Sequence, residues 1–340
     1  MGIKFENGGI LTTVQDGGRF GYEQYGMTPS GPMDMRSMNI ANLLVGNDRG
    51  EGCLEMTLMG PTIRFTDAAV IAVTGADMQP RLNGAPLNMY AAVAVNSGDR
   101  LEFGLVREGC RTYLAVAGGM KIPELMGSKS TLLSGEFGGY SGRKLRNGDE
   151  IFLNQRITAL PGMATRQTGG DSFSSAEHVL RVILGPQEDR FTKKGMETFL
   201  NEAYRVGRDF DRRGYRLEGP VIEHRTDGNI ISDGLVTGSI QVPTAGEPII
   251  MLAEHQTVGG YTKIATVITV DLPIIGQCKS GDVLRFKAVS VEKAQDLYAA
   301  YHQEMNILQQ RMALAVPAIC QFKLTIGKDI YHVQVEEMEG

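Results

Sequence analysis

The 340-residue sequence lacks the features of membrane and secreted proteins. It contains no apolar run of 18 residues, and its first residues, MGIKFENGGI, include no apolar segment of a secretory signal. An excess of basic residues is also missing, because the formal net charge is -5 and no basic stripe is interleaved with aromatic residues. We therefore expect a soluble, cytoplasmic protein whose partners include neither nucleic acid nor a membrane.

Cysteine is scarce and shows no spacing typical of a metal or disulfide framework. The four cysteines, Cys53, Cys110, Cys278 and Cys320, lie far apart, without a CxxC pair or a nearby His pair. The five histidines also share no ligand spacing. Structural zinc sites and disulfide-rich folds depend on such spacing. The sequence thus predicts reduced, mostly buried cysteines and no metal site.

Common nucleotide and hydrolase motifs are missing as well. No GxxxxGK[ST], GxSxG, HExxH or dinucleotide-binding fingerprint occurs. The segment LMGSKST at 125–131 has the composition of a phosphate loop but not its order, and EFGGYSGRK at 136–144 is more typical of tight turns. We therefore do not expect this chain to hold ATP phosphates by itself.

Glycine, in contrast, is abundant, with 43 residues, roughly twice the usual share. The glycines separate short apolar runs such as AVIAVTGADM, AAVAVNSGDRLEF and KIATVITVDLP, a pattern that indicates buried strands of a barrel or sandwich. Helical spacing is limited to 33–47, to a segment after Thr192, which is a suitable N-cap, and to a longer segment after Ser290. The predicted fold is mainly β with a few helices.

Three segments recur in the same order with slowly changing offsets. SGDRLEF at 97–103 returns as SGDVLRF at 280–286, LEMTLMGPTIRF from 54 returns loosely as IQVPTAGEPIIM from 240, and RFGY from 19 returns as RRGY from 212. Each match alone is weak, but their common order predicts a duplicated domain. The polar segment 155–177 between the halves has no sustained period and is typical of a linker.

The helix after Ser290 carries a seam with steps of three and four residues: Val291, Ala294, Tyr298, Tyr301, Met305, Leu308 and Met312. Such a seam could dimerise, but Ala and Tyr replace the Leu and Ile of a zipper, which favours a helix laid across a barrel. The following segment, QFKLTIGKDIYHVQVEEMEG, alternates on both sides of a Gly-Lys-Asp turn and predicts a hairpin.

Two polar loops are the candidates for chemistry. In the first, 15–34, polar side chains crowd between glycines ahead of a helix: Gln15, Asp16, Arg19, Gln24, Ser30 and Asp34. Two interpretations are open, because Ser30 or Asp34 can cap the helix, and a helix N-terminus can also cradle a carboxylate or carboxyphosphate. In the second, EHQTVGGYTKIATV at 254–267, Gly259 and Gly260 predict a ligand-facing turn beside Gln256 and Lys263.

These segments together resemble the biotin-dependent carboxyltransferase, or allophanate hydrolase subunit 2, family. The resemblance covers residues from about 8 to 297 and rests on GILTTVQDGGRFGY, GMTPSGPMD, ANLLVGN, LEMTLMGPTIRF, VTGAD, YLAVAGG, GSKST, DRRGYRLEGP, GSIQVPTAGEPIIMLAEHQTVGGYTKIATVI and SGDVLRF. The usual QTTGGY of the family reads QTVGGY here, with Val258 in place of a Thr. This departure leaves the substrate more open than the fold.

The resemblance implies two cyclophilin-like β-barrel domains, at 1–155 and 178–290, joined by a linker at 156–177 and followed by a helix and hairpin extension at 291–340. It also implies a KipI-like sister subunit and a third, LamB/YcsF-like subunit as partners. It makes 15–34 and 254–271 the site loops. The hairpin is similar to the start of a biotinyl domain, but no Met-Lys-Met follows, so any biotin is expected on a separate carrier chain.

Three functions stay open at this stage. The favoured one is a subunit of an ATP-dependent 5-oxoprolinase that opens 5-oxo-L-proline to L-glutamate, with ATP and Mg bound with or by a partner subunit. The second is a carboxyltransferase that moves CO2 between carboxybiotin and a small amide or ketone. The third is a KipA-like regulator that binds its sister subunit without catalysis.

The favoured function assigns roles to particular residues. Lys263 and Arg213 are candidates to stabilise oxyanion charge, and Asp271 or Asp34 to move protons. The substrate-binding candidates are Gln256, Thr257, Gly259, Gly260, Tyr261, Gln241, Ser30, Gly31, Arg19 and Gln24. In the carboxyltransferase alternative, the glycine pair would admit the biotin ring and Lys263 would hold the carboxylate.

Overall fold

The computed structural model describes residues 2–313 and two strands at 320–326 and 329–335. Strands dominate, which confirms the prediction of a mainly β fold. The strands of the described residues are β1 (Gly2–Asn7), β2 (Leu11–Gln15), β3 (Cys53–Thr57), β4 (Thr62–Phe65), β5 (Ala69–Asp77), β6 (Arg81–Leu82), β7 (Ala85–Pro86), β8 (Ala92–Val95), β9 (Arg100–Glu102), β10 (Glu108–Val116), β11 (Glu150–Phe152), β12 (Glu177–Leu184), β13 (Tyr204–Phe210), β14 (Gly214–Glu218), β15 (Asn229–Gly234), β16 (Ser239–Val242), β17 (Ile249–Met251), β18 (Val258–Val267), β19 (Val283–Ala288), β20 (Cys320–Ile326) and β21 (Asp329–Val335).

Four α-helices accompany the strands: α1 (Met35–Leu44), α2 (Lys193–Asn201), α3 (Leu272–Gln277) and α4 (Val291–Ala313). The predicted cap of α2 is confirmed, because the Thr192 side chain accepts a hydrogen bond from the backbone N of Gly195 at 3.0 Å. Helix α3 was not predicted from the sequence. Among the helices that the structure describes, none is long and apolar enough to cross a membrane.

Two sheets of the first half share one core. One has the order β11-β1-β4-β9-β6-β7, and the other has the order β2-β3-β10-β5-β8. Alternate side chains of β1 and β4, including Phe5 and Phe65, meet Leu54 and Leu114 of the second sheet. Strand β5 is buried on both faces because α1 covers its outer side, which explains its continuous apolar run.

The C-terminal helix lies against the first half. Met305, Leu308 and Met312 of α4 are buried in a cluster with α1, whereas Val291 and Tyr298 at the other end of the seam are exposed. This arrangement supports the helix laid across the fold over a full-length zipper. Strands β20 and β21 pair antiparallel, and the predicted turn between them includes residues 327–328, which lie outside the described residues.

The second half forms one sheet in the order β12-β19-β13-β14-β17-β16-β18-β15. Because β12 also pairs with β18, the strand pairings return to the starting strand, and β15 remains outside this circuit. Its interior is filled by one apolar cluster that includes Phe199, Tyr215 and Phe286. The cyclophilin-like description of each half and the proposed domain boundaries stay predictions.

The repeated SGD segments form the same turn in both halves. Gly98 and Gly281 have φ of 91° and 98°, a conformation that glycine adopts readily. The Asp99 carboxylate accepts from Asn96 N at 2.7 Å, and the Asp282 carboxylate accepts from Lys279 N at 2.9 Å. The matching turns support a duplicated architecture.

The described cysteine side chains are free and buried, as predicted from the sequence. They are Cys53, Cys110 and Cys278. The prediction for Cys320 falls outside the side chains that the structure describes.

Candidate active site

The stretch predicted as a glycine turn is a strand. Gly259 and Gly260 lie in β18, where Gly259 faces Asp233 of β15, and neither glycine has a positive φ. The turn prediction was therefore wrong. A Cβ on Gly259 would lie 2.5 Å from Nε2 of Gln241, whereas one on Gly260 would approach nothing closer than 3.6 Å. Gly259 is thus needed for space, not for a turn.

Lys263 is buried in β18 and already has an anionic partner. Its Nζ donates to Asp233 Oδ2 at 2.5 Å and to the carbonyl of Gly234 at 2.8 Å. The side chain of Gln187 bridges Lys263 and Asp233. Its Oε1 accepts from Lys263 N at 3.0 Å, and its Nε2 donates to Asp233 Oδ2 at 3.3 Å. The hydrogen bond from Lys263 holds the pKa of Asp233 below its usual range. The Lys263 charge is therefore largely compensated within the chain.

Several predicted substrate-binding residues share this neighbourhood. Gln241 on β16 is buried beside Gly259, and its Nε2 lies 3.5 Å from the Tyr261 carbonyl. The residue Tyr261 is exposed. Gln256 is exposed and Thr257 half-buried just before β18. Neither of these two side chains has a hydrogen bond to any residue in the described part of the chain, so both are available to a ligand.

In the loop 15–34, Arg19 has a structural role. It is fully buried, donates from Nε to the Leu125 carbonyl and from Nη2 to the Ser130 carbonyl, both at 3.0 Å, and lies over the Phe137 ring at 4.9 Å. Gln24 is exposed in a short 3-10 turn, Glu23–Tyr25. Among the residues that the structure describes, neither the Arg19 side chain nor the Gln24 side chain makes a hydrogen bond to β18.

Ser30 and Gly31 both have left-handed backbone conformations, with φ of 56° and 87°. The Ser30 hydroxyl is buried and has no hydrogen-bond partner among the described residues. A strained non-glycine residue with an unsatisfied buried hydroxyl is a feature that functional sites often show. Ser30 thus remains a candidate ligand residue.

Asp34 is the N-cap of α1, one of the two roles left open by the sequence. Its carboxylate accepts from Ser37 N at 2.9 Å and from Gln277 Nε2 at 2.7 Å. Burial raises the pKa of Asp34, against the effect of these hydrogen bonds. The carboxylate itself fills the place at the helix N-terminus where an anionic ligand was considered.

The other two predicted catalytic residues lie elsewhere. Asp271 is fully buried and accepts from Arg181 N at 2.7 Å and Arg181 Nε at 2.9 Å. Arg213 is exposed, with Nε 3.4 Å from Asp211 Oδ2. In the described part of the chain, neither residue shares a hydrogen bond with Lys263. The structure therefore does not bring all four predicted catalytic groups into one direct cluster.

A buried charge network joins the two halves, and the sequence analysis missed it. Arg212 donates from Nε to Glu254 at 2.6 Å, from Nη1 to Glu55, and from Nη2 to the Gly31 carbonyl at 2.6 Å. Glu55 lies on β3 of the first half and also accepts from the Tyr113 hydroxyl at 2.7 Å. We call these residues, Arg212, Glu254, Glu55 and Tyr113, the junction network.

The internal repeat carried a signal for Arg212. The match of RFGY with RRGY aligns Arg19 with Arg212, not with Arg213. The two aligned arginines are both buried, at 0% and 3% exposure. The repeat thus makes Arg212 the counterpart of Arg19, although the sequence alone does not show that either arginine is buried.

A cleft of about 410 Å³ opens next to the junction network. Both halves line it: Ile10, Leu11, Thr57, Leu58, Arg111, Leu133, Ser134, Phe210, Asp211, Arg212, Arg213 and Glu254. Arg111 has an Nε without a hydrogen-bond partner among the described residues. The two predicted site loops meet nearby, because Thr28 Oγ1 donates to the Ala253 carbonyl at 3.1 Å. The volume suits a small carboxylic acid, and of the three arginines in the lining the exposed Arg213 is the one that can reach it, because Arg212 is held by Glu254 and Glu55.

A larger cleft, of about 660 Å³, lies over residues 136–142. Its lining contains none of the residues that the sequence predicted for the site. It also has a single basic residue, Lys121, against two glutamates, Glu136 and Glu150. We therefore place the candidate site at the junction cleft.

In segment 125–131, which has the composition of a phosphate loop, the polar donors bind the carboxylate of Asp16. Asp16 accepts from the hydroxyls of Ser128 and Ser130 and from Lys129 N, each at 2.6 Å. Lys129 Nζ is bound to Glu51 at 2.6 Å. The donors that would hold a phosphate are thus already used, and this segment does not fit ATP.

Comparison with known proteins identifies the family. The family described as "Carboxyltransferase domain, subdomain A and B" matches residues 25–288. The chain belongs to this family. It is 35% identical to a 5-oxoprolinase subunit of Escherichia coli over 293 residues, which cover 86% of this chain and 93% of that protein.

Urea amidolyases contain a similar segment. The chain is 36% identical to urea amidolyase of Lachancea kluyveri over 88% of its own length, but it spans only 18% of that protein. The crystal structure of the Kluyveromyces lactis urea amidolyase matches 90% of this chain and 20% of that one, with a TM-score of 0.84 and 33% identity. These relatives fix the fold and leave two activities to consider.

Proposed function

We propose that this chain is a subunit of a cytoplasmic, ATP-dependent 5-oxoprolinase complex that opens 5-oxo-L-proline to L-glutamate. The observation that carries the proposal is the similarity to the Escherichia coli 5-oxoprolinase subunit, which extends over 93% of that protein. The proposed partners are a KipI-like sister subunit and a LamB/YcsF-like subunit. A shared site would account for the dispersed polar groups of this chain.

The junction cleft supplies groups that suit this substrate. The exposed Arg213 pairs with Asp211 at 3.4 Å, and this weak surface pair can be exchanged for a substrate carboxylate. Gln256 and Thr257 follow the cleft residue Glu254 in the chain but are not part of the cleft lining; in this proposal their free side chains pair with the lactam amide. Asp34 and Asp271 are both committed to internal partners, so the proposal assigns neither of them a proton-transfer step.

ATP and Mg belong with or on a partner subunit in this proposal, because segment 125–131 is occupied by Asp16. When bound, ATP would activate the lactam carbonyl by phosphoryl transfer. The residues of this chain would then bind and orient the lactam and help to stabilise negative charge on its oxygen.

The decisive experiment co-purifies the chain with both proposed partners and measures 5-oxoproline-dependent ADP release. Arg213→Met should raise the KM for 5-oxoproline by roughly 10- to 100-fold, the range expected for losing a charge-assisted hydrogen bond. Arg208→Met, an exposed arginine outside the cleft, is the matched control and should leave KM unchanged. Absence of ADP release with all subunits present would contradict the proposal.

Carboxyl transfer is the second candidate, favoured by the family itself and by the urea amidolyase relatives. In that case biotin resides on a separate carrier chain. Avidin should inhibit the reconstituted carboxyl-transfer reaction, whereas a phosphoryl route should be insensitive to it.

The regulator alternative is tested with Lys263→Met. Loss of turnover with unchanged co-purification of the sister subunit supports a catalytic role for this chain. If the protein acts only by sequestering its sister subunit, the Lys263→Met variant should still bind that subunit and keep its biological effect.

A further inference from the structure

The turn that joins α3 to β19 brings together three side chains of metal-binding chemistry. His178 lies on β12, Cys278 follows α3, and Asp282 precedes β19. A ring nitrogen of His178, the Cys278 Sγ and a carboxylate oxygen of Asp282 all lie within 4.8 Å of one another. The fold produces this cluster because β12 and β19 are parallel neighbours with Glu177 opposite Val283, which places Asp282 beside the start of β12.

We propose that His178, Cys278 and Asp282 form a binding site for a borderline divalent metal ion of the Zn²⁺ class. Thiolate and imidazole ligands select such ions over Mg²⁺ or Ca²⁺, which prefer oxygen. In a tetrahedral zinc site, ligand atoms lie roughly 3.3–3.8 Å apart, so the three groups need to approach one another by at most about 1.5 Å. Three protein ligands leave a fourth position for water or another ligand.

The carboxylate of Asp282 is oriented for this role. Its Oδ2 accepts from Lys279 N at 2.9 Å, which fixes the group in the turn. The Nζ of Lys279 lies 3.7 Å from Asp282 Oδ1. The Lys279 side chain is 38% exposed and can move into solvent. Asp99 forms the same turn contact in the first half, where no histidine or cysteine joins it among the described residues. The metal-binding potential is therefore specific to the second half.

His178 and Cys278 differ in the hydrogen bonds that they would lose on binding a metal ion. His178 is half-buried, and neither ring nitrogen makes a hydrogen bond to any residue that the structure describes. Cys278 is fully buried, and its thiol donates weakly to the Ile274 carbonyl at 3.3 Å. Metal binding would replace that hydrogen bond and release the thiol proton to solvent.

The site would connect α3 to the second-half sheet. The residues just before Cys278 reach the first half, because the Gly276 carbonyl accepts from Arg111 at 2.5 Å and Gln277 donates to Asp34 at 2.7 Å. A bound ion would thus stabilise the segment that contacts the junction between the halves, independently of the reaction that the complex performs.

Zinc binding to the full chain tests the proposal directly. After incubation with ZnCl2 and removal of free metal, one zinc per chain is expected, with an affinity that falls as pH falls because His178 and Cys278 are protonated. His178→Gln and Cys278→Ser should each weaken binding at least about tenfold. Cys53→Ser, which changes a buried cysteine outside the cluster, is the matched control and should bind zinc as the wild type does.

Cobalt provides a second readout that is independent of activity. Co²⁺ bound to the wild type should show a thiolate-to-cobalt charge-transfer absorption, which Cys278→Ser should lose while its circular dichroism shows that it remains folded. Undiminished zinc binding in both His178→Gln and Cys278→Ser, or no stoichiometric zinc in the wild type, would overturn the proposal.

Discussion

Arg212 and Glu254 form an ion pair at 2.6 Å that is almost completely shielded from solvent, with 3% exposure on each side chain. Arg212 also contacts Glu55 and Gly31 of the first half. Burial lowers the pKa of Arg212, but Glu55 and Glu254 more than offset this effect and raise it overall. Arg111 is the second cation of this region, with its Nε 3.9 Å from Glu55 Oε1. Two buried arginines therefore balance two buried carboxylates, and Arg212 is the one that contacts both carboxylates and links the two halves.

Arg212→Met should destabilise the protein by about 3–5 kcal/mol, because it leaves Glu254 buried without its cation and Glu55 with only the more distant Arg111 at 3.9 Å. Arg213→Met is the matched control, since this adjacent arginine is exposed and makes only a surface pair with Asp211. Its free energy of unfolding should stay within about 0.5 kcal/mol of the wild type. Denaturant unfolding of both variants checks this. Equal effects in the two variants would contradict a structural role for the junction network.

Gly259 and Gly260 offer a second matched pair. Gly259→Ala would push a Cβ to 2.5 Å from Gln241 Nε2 and 2.9 Å from Leu235 Cδ1, and should cost about 1–3 kcal/mol. Gly260→Ala meets only ordinary contacts, the nearest at 3.6 Å from the Ile230 carbonyl, and should be neutral or stabilise by about 0.4–1 kcal/mol. Thermal and denaturant melts measure both. A larger loss in Gly260→Ala would show that the packing around β18 is different.

The fold class could be predicted because its signals are local. Alternation in β4, the glycine of each SGD turn and the Thr192 cap depend on residues that are close in sequence. Helix α3 was missed because six residues are too few to show a helical period, and the preceding residues are β-branched. Pro273 in its first turn was the available signal.

The candidate site was harder to predict, because it depends on contacts between distant residues. Gly259 is needed for Gln241, and Lys263 is neutralised by Asp233, which lies 30 residues away in the chain. Arg212 and Arg213 are adjacent and chemically identical, so only tertiary burial separates them. The sequence was sufficient to identify the polar loops, but it could not show which of their side chains form ion pairs or hydrogen bonds within the chain.

Ser130→Ala should cost about 1.5–3 kcal/mol, because the Ser130 hydroxyl donates at 2.6 Å to a buried carboxylate, that of Asp16, and accepts from Asp16 N at 3.0 Å. Ser134→Ala, at an exposed position three residues after this segment, should change stability by less than about 0.5 kcal/mol. Denaturant unfolding compares the two. If the chain alone bound ATP and Ser130→Ala abolished that binding, the segment would be a phosphate site and our interpretation of Asp16 would be wrong.

His255 should make the stability of the protein depend on pH. The ring is 2% exposed, its Nδ1 lies 2.6 Å from the Gln256 carbonyl, and its Nε2 has no hydrogen-bond partner among the described residues. Burial lowers the pKa of His255, and the Gln256 carbonyl and Glu23 only partly oppose this effect. The neutral ring is thus the form that the folded state accommodates.

The sign of the pH effect follows from this lowered pKa. Above the unfolded-state pKa of about 6.5, both states are neutral and the contribution of His255 to stability is complete. As pH falls towards the folded-state pKa, the unfolded chain binds a proton that the folded chain does not, so the free energy of unfolding should decrease by up to about 1.4 kcal/mol per pH unit. His255→Gln should therefore flatten the stability curve just below pH 6.5, while His302→Gln, at an exposed position on α4, should retain the wild-type slope. Denaturant unfolding at a series of pH values measures these slopes, and an unchanged slope in His255→Gln would show that this ring is not kept neutral by burial.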